Sequence, residues 1–144
     1  MSLPHHKLVA WQRADNLFIE VHGLTLQCFP NDERYELGRQ VRRSAYSVPA
    51  NIVEGNARDT CREKLRFFNI ASASLNETGY GLHAARRLGY IGDSEYDRLE
   101  AQVKAVAAPL NGLIRTMRAK IAVRAVTAPG AIAVLATPFL QYMA

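Results

Sequence analysis

Apolar residues recur every three or four positions along most of the chain, which is the spacing of one face of an α helix. No segment alternates apolar and polar residues as a half-buried strand would. The pattern predicts an all-α chain folded as an antiparallel, up-down-up-down four-helix bundle, with about 25 residues in each helix. The four stripes are Ala10, Ala14, Leu17, Val21, Leu24 and Cys28; Leu37, Val41, Ala45, Val48 and Ile52; Leu65, Phe68, Ser72, Leu75, Gly79 and Leu82; and Tyr96, Leu99, Val103, Val106, Leu110, Leu113 and Met117.

Short breaks separate the stripes. Pro30 stops the first helix, and Thr60 with Glu63 forms a capping box before the third. A turn punctuated by glycines, "LGYIGDSE", precedes the fourth. We therefore expect one domain over residues 1–118.

The segment 119–144 differs in composition from the rest of the chain. It is rich in alanine, and residues 125–144 carry no charged side chain. A membrane span of that length is conceivable, but Pro129, Gly130 and Pro138 interrupt it. We expect a weakly ordered or surface-packed tail and no membrane span.

The third helix carries a second apolar patch beside its core stripe, formed by Phe67, Ile70, Ala71 and Ser74. A helix that is apolar on two sides is buried on two sides. Two explanations are equally open from periodicity. In one, Phe67, Ile70 and Ala71 lie at the interface of a homo-oligomer; in the other, the third helix is sunk more deeply into its own bundle.

The net charge of +5 is unevenly distributed. Residues 1–100 contain equal numbers of acidic and basic side chains, and the excess comes from five basic residues after them, where no acid occurs. Such an end can meet phosphates or an anionic surface. Cys28 and Cys61 form no metal-binding or redox motif, which predicts reduced thiols in a cytoplasmic protein.

The stretch "SAYSVPANIVEGNAR" contains the most unusual residues of the second helix. Pro49 interrupts the backbone hydrogen bonds and predicts a kink. Asn51, Glu54 and Arg58 share one helix face: the last two have the spacing of an ion pair, and Asn51 can bond to a neighbouring helix. Gly55 indicates close approach by another helix.

These residues favour a structural role over catalysis. No Glu-x-x-His pair, metal-ligand spacing of histidines, phosphate-binding loop or nucleophile motif occurs in the chain. We therefore expect no enzyme activity, no cofactor and no metal. Catalysis by Glu54 and Arg58 ranks last among the functional hypotheses.

The chain also resembles a known family. "LVAWQRADNLFIEVHGLT", "FPNDERYELGRQVRRSAYSVPANIVEGNAR" and "FFNIASASLNETGYGLHAARRLGYI" are similar to the four-helix-bundle proteins encoded within intervening sequences of bacterial large-subunit ribosomal RNA genes. The resemblance covers about residues 5–118. Its most specific part is the second-helix pattern of Arg42, Arg43, Ala45, Ser47, Pro49, Asn51, Ile52, Glu54, Gly55 and Arg58.

This family is related in fold to the accessory proteins of diversity-generating retroelements, which form barrel-shaped homopentamers and bind nucleic acid and a reverse transcriptase. The resemblance implies a small, non-enzymatic bundle that assembles as a homopentameric ring or barrel and associates with nucleic acid.

Two functional hypotheses rank highest. The first is an oligomer that binds RNA or DNA through phosphates without reading sequence, because it repeats clusters of basic residues by symmetry. Its candidate contacts are Arg39, Arg42, Arg43, Arg115, Arg118 and Lys120. The alternative is a structural bundle that binds a protein partner through an apolar patch and has no nucleic-acid role.

Overall fold

The computed structural model describes residues 2–128, and within this range the chain forms four α helices, one short 3-10 helix and no strand. The 3-10 helix is Pro4–Lys7. The α helices are α1 (Val9–Cys28), α2 (Leu37–Asn56), α3 (Cys61–Arg87) and α4 (Asp93–Thr127). The prediction of an all-α chain with four helices is confirmed.

Local sequence explains where the helices begin and end. α1 ends at Cys28, shortly before Pro30, which cannot continue a helix. Thr60 caps α3, and its Oγ1 accepts the backbone N–H of Glu63 at 3.2 Å, so the predicted cap is confirmed. After α3 the chain turns at Gly89, whose φ of +77° lies in the left-handed region that favours glycine.

One hydrophobic core lies between the four helices and draws on all four predicted stripes. Consecutive helices pack against each other, and α1 also packs against α4. The end of the first stripe differs from the prediction, because Cys28 is exposed. The backbone is extended at Phe29, so that residue turns inward instead and is only 2% exposed.

The second apolar patch of α3 is partly buried within the chain's own core. Ala71 is 0% exposed and Ser74 is 8% exposed. Ala71 therefore offers no surface to another subunit, which corrects its assignment to an oligomer interface. Phe67 is half-buried and Ile70 is exposed, so only these two residues of the predicted interface reach the surface.

α4 has 35 residues and is therefore about 52 Å long. It continues past Arg118, where we expected the bundle to end, and stops at Thr127. The residues between these positions contain no proline or glycine, and the first helix breaker is Pro129. The tail is thus helical up to Thr127, and the prediction for 129–144 lies outside the described residues.

None of the helices within residues 2–128 has an apolar stretch long enough to cross a bilayer.

Candidate functional site

α2 continues through Pro49 to Asn56, although the proline ring removes one backbone N–H. In the part of α2 before it, the Ser44 hydroxyl donates to the carbonyl oxygen of Val41 at 3.0 Å. The hydroxyl oxygens of Ser44 and Thr78 on α3 lie 3.0 Å apart, and both residues are buried. Polar groups in the part of α2 before the proline therefore hold α2 against α3.

Asn51 belongs to the same polar contact. Its Nδ2 donates to the backbone oxygen of Ser47 at 2.8 Å and lies 2.9 Å from the Ser47 hydroxyl. That hydroxyl in turn lies 2.8 Å from the hydroxyl of Ser74 on α3. Asn51 thus reaches α3 only through Ser47, because its short side chain folds back one turn along its own helix, and the direct bond we expected is absent from the described residues. We call this set the polar seam: Ser44, Ser47, Asn51, Ser74 and Thr78.

Gly55 is a point of close approach of α2 to α3. A Cβ atom at this position would lie 2.8 Å from Cε1 of Phe68 and 3.1 Å from Cβ of Phe67. Real Cβ atoms are essentially never as close to another atom as the first of these distances. The close packing that the sequence indicated at Gly55 is present.

Glu54 and Arg58 form an ion pair at the end of α2, with side chains that are 46% and 39% exposed. The Arg58 guanidinium also lies over the ring of Phe67, 4.9 Å from its centre. Asn51 bonds to Ser47, whereas Glu54 and Arg58 contact each other, so the three residues do not converge on one point. Within residues 2–128, no group of three His, Cys, Asp or Glu side chains could hold a metal ion.

Arg42 has a different role from its neighbours Arg39 and Arg43. Its guanidinium donates to Thr25 Oγ1 on α1 at 3.0 Å and to the backbone oxygen of Arg34 at 2.7 Å. These bonds fix the side chain, which is half-buried, whereas Arg39 and Arg43 are exposed. Arg42 therefore fastens α2 to α1 and to the loop before α2, and its contact with nucleic acid stays a prediction.

Two surface grooves lie on either side of the Arg39 and Arg43 side chains. The first, which we call the Tyr46 groove, has a volume of about 500 Å³ and is lined by Arg39, Arg42, Arg43, Tyr46, Ser47, Ala50 and Asn51. The second has a volume of about 370 Å³ and includes two carboxylates, Glu36 and Glu77, in its lining. The cations on α2 thus face both a carboxylate-free groove and an acidic one.

The basic residues at the end of α4 meet others at the start of α3. Arg62, Arg66 and Arg118 line a groove of about 570 Å³ whose floor includes Leu65 and Ile121. Arg62 also lines an adjoining groove with Arg124. No Asp or Glu lines either groove. We call this set the arginine end: Arg62, Arg66, Arg118 and Arg124.

Sequence reasoning grouped Arg118 with Arg115 and Lys120, which are exposed on α4 but do not line these grooves. Sequence reasoning did not group Arg62 and Arg66 with Arg118. The available signal was the predicted up-down order of the helices, which would put the start of α3 beside the end of α4.

The side chains whose pKa values are shifted lie elsewhere, around the start of α4. A hydrogen bond from Lys104, together with its charge, holds the pKa of Glu100 below its ordinary value. Burial raises the pKa of Tyr96, and Glu100 adds to that effect. Both residues belong to ion pairs and hydrogen bonds along one helix, an arrangement typical of a structural surface network.

A family model and a solved structure match this chain. A family model described as "23S rRNA-intervening sequence protein" matches residues 6–112. A crystal structure of a protein with unknown function from the S23 ribosomal protein family of Bacteroides thetaiotaomicron matches with a TM-score of 0.69. The two sequences are 23% identical, and the match covers 74% of this chain and 98% of the other. No curated protein matches the chain.

Proposed function

This chain belongs to the 23S rRNA-intervening sequence protein family, and from that premise we propose that it is a non-enzymatic, oligomeric bundle that binds nucleic acid through its phosphates. The observation that carries the proposal is the arginine end. Four arginines from two helices line adjoining grooves, and no carboxylate lines either groove. Among the described residues, none of the four forms an ion pair.

Cations grouped in this way suit phosphate contacts better than base recognition. Each phosphate that a cation neutralises releases counterions, so binding is steeply salt-dependent and indifferent to sequence. Arg115 and Lys120 lie next to this set on the exposed side of α4 and extend the positive surface. One subunit offers few contacts, so we infer that repetition of the arginine end in an oligomer supplies the affinity.

The antiparallel, up-down-up-down arrangement belongs to this proposal. It is supported by contacts that run in opposite directions along paired helices: Val41 lies against Gly81, whereas Gly55 lies against Phe68. On the other pair, Gly79 approaches Val103, whereas Arg66 and Arg118 line one groove. This order brings the basic start of α3 to the basic end of α4.

We further propose that the chain assembles as a homopentameric ring or barrel. The number five rests on the family resemblance. An exposed apolar side chain on α3, Ile70 with 39% of its surface accessible, and the half-buried Phe67 on the same helix supply a patch for the contact. Cyclic symmetry would repeat the arginine end around one axis.

The absence of catalysis and a cytoplasmic location complete the proposal. Glu54 is paired with Arg58 and is therefore poorly placed to act as a general base. Cys28 and Cys61 are free thiols, as a reducing compartment maintains them.

Fluorescence polarisation with labelled RNA and DNA over a range of salt concentrations tests the nucleic-acid proposal. We expect the double variant Arg62→Glu with Arg118→Glu to weaken binding of every sequence alike. The slope of log affinity against log salt should become shallower by about one for each phosphate that the variant no longer neutralises. The matched control is Lys7→Glu with Arg87→Glu, which makes the same change in net charge at two exposed positions outside the arginine end.

An equal weakening in the control would mean that overall charge, and not the arginine end, drives binding. Failure of the wild-type oligomer to bind any nucleic acid at low salt would overturn the proposal. The alternative function, docking of a protein partner on an apolar patch, would then be favoured. Its supporting observation is the exposure of Val123 and Val126 on α4, at 62% and 73%.

A further inference from the structure

The Tyr46 groove combines an exposed aromatic ring with cations on one stripe of α2. Tyr46 is 59% exposed. Its ring contacts Phe18 of α1 in a T-shaped arrangement, with ring centres 5.5 Å apart and planes at 72°. This contact holds the ring in place while more than half of the residue remains accessible. A fixed, exposed aromatic ring is a platform on which a flat apolar ligand can stack.

The charges around the ring select an anionic ligand. Arg39 and Arg43 are exposed, and Arg42 is fixed by bonds to two uncharged oxygens, so its own charge is not neutralised by these partners. No carboxylate lines this groove. Glu36 and Glu77 line the groove on the other side of Arg39 and Arg43, which directs an anion toward the Tyr46 side.

We propose that the Tyr46 groove binds single-stranded nucleic acid, with a base stacked on Tyr46 and neighbouring phosphates on Arg39 and Arg43. The proposal rests on the proposed nucleic-acid function but concerns a different site from the arginine end. Arg39 and Arg43 are one helical turn apart, about 6 Å along the axis, a distance comparable to that between neighbouring phosphates of an extended strand. An aromatic ring beside such cations is the recurring arrangement of single-strand binding surfaces.

A duplex is a poor ligand for this groove. Its bases are already stacked on each other, so their faces are not available to Tyr46, and only its phosphates can reach the arginines. The Tyr46 groove should therefore contribute mainly to binding of single strands. The arginine end, which offers charge without an exposed aromatic ring in its lining, should serve single strands and duplexes alike.

The test compares labelled single strands and duplexes of about 15 nucleotides, near the upper range of single-strand site sizes, on the full chain by fluorescence polarisation. Tyr46→Ala is expected to weaken binding of single-stranded RNA and DNA by about 5- to 150-fold, the effect of removing one base–aromatic stack. Binding of the duplex should be unchanged. Tyr46→Phe keeps the ring and should bind as the wild type does.

Two further variants control for folding and for surface aromatics in general. Tyr46→Leu keeps apolar bulk against Phe18 but has no flat ring, so we expect a folded protein with the same selective weakening. Tyr80→Ala removes another tyrosine, 72% exposed on α3, and should leave binding unchanged. Circular dichroism melting of each variant shows whether the fold is retained.

The failures of the two proposals are distinguishable. If Tyr46→Leu is folded and binds single strands as tightly as the wild type, the Tyr46 site is wrong, whereas phosphate binding at the arginine end stands. An equal weakening for single strands and duplexes also contradicts a stacking role. If the wild type binds no nucleic acid at low salt, both this proposal and the proposed function are wrong.

Discussion

Close packing between α2 and α3 depends on two glycines, Gly55 and Gly81. A Cβ atom on Gly81 would lie 2.5 Å from Cγ2 of Val41, and one on Gly55 would lie 2.8 Å from the Phe68 ring. Val41 and Phe68 belong to the buried core, where neighbours have little freedom to move. The two glycines therefore set the distance between α2 and α3, the helices that carry the polar seam.

Gly55→Ala should destabilise the protein. The added methyl group meets the Phe68 ring and Cβ of Phe67, and overpacking of a core of this kind typically costs about 1–3 kcal/mol. The matched control is Gly23→Ala in α1, where a Cβ atom would have no neighbour within 4 Å. That variant should be more stable than the wild type by about 0.5–1 kcal/mol, because alanine loses less backbone entropy in a helix. Urea denaturation measures both, and a stable Gly55→Ala protein would contradict the close contact.

At the scale of helices, α2 is joined to its neighbours by two kinds of polar contact. The polar seam connects it to α3, where the hydroxyls of Ser47 and Ser74 lie 2.8 Å apart. On the other side, Arg42 connects it to Thr25 of α1 and to the backbone at Arg34. Buried or half-buried polar groups such as these are costly when they lose a partner.

Arg42→Met and Arg43→Met should therefore have different outcomes. The first removes hydrogen bonds from a charged donor to Thr25 and Arg34, and we expect the free energy of unfolding to fall by about 1.5–3 kcal/mol. The second removes a solvated charge and should leave stability nearly unchanged while weakening single-strand binding. Thermal melting of the two variants measures the change in stability, and fluorescence polarisation of the same two proteins measures single-strand binding. Equal stability of the two variants would mean that the Arg42 hydrogen bonds contribute little.

The helices are predictable from sequence because a 3.6-residue period reports which face of a helix is apolar. It does not report how deeply a helix lies, and for this reason periodicity leaves open whether Ala71 lies at a subunit boundary or in the core, where the residue is buried. The depth of α3 follows from small residues on two helices, such as Gly55 and Gly81, which only the paired structure brings together. Likewise, periodicity places Arg42 and Arg43 in one cluster of cations. Their different roles follow from the position of the loop before α2, which periodicity does not give.

At the scale of the whole molecule, charge and assembly are linked. The arginine end and the Tyr46 groove are separate surfaces, and each contains only a few cations. A single phosphate contact contributes little at physiological salt, so one subunit would bind weakly. Several subunits around one axis would engage the same strand at many points, because the second contact becomes intramolecular once the first is made.

The native mass should be five times the 16.0 kDa chain, measured by light scattering coupled to size exclusion.

Ile70→Asp places a charge on the exposed apolar position of α3 and should dissociate the oligomer, since a charge buried at an interface without a partner is strongly unfavourable. Ile19→Asp is the matched control, because Ile19 is 61% exposed on α1, outside the proposed contact. The dissociated Ile70→Asp chain should also bind nucleic acid more weakly although every arginine is retained. A monomeric wild type at high micromolar concentration would contradict assembly, and dissociation by Ile19→Asp alone would move the interface to α1.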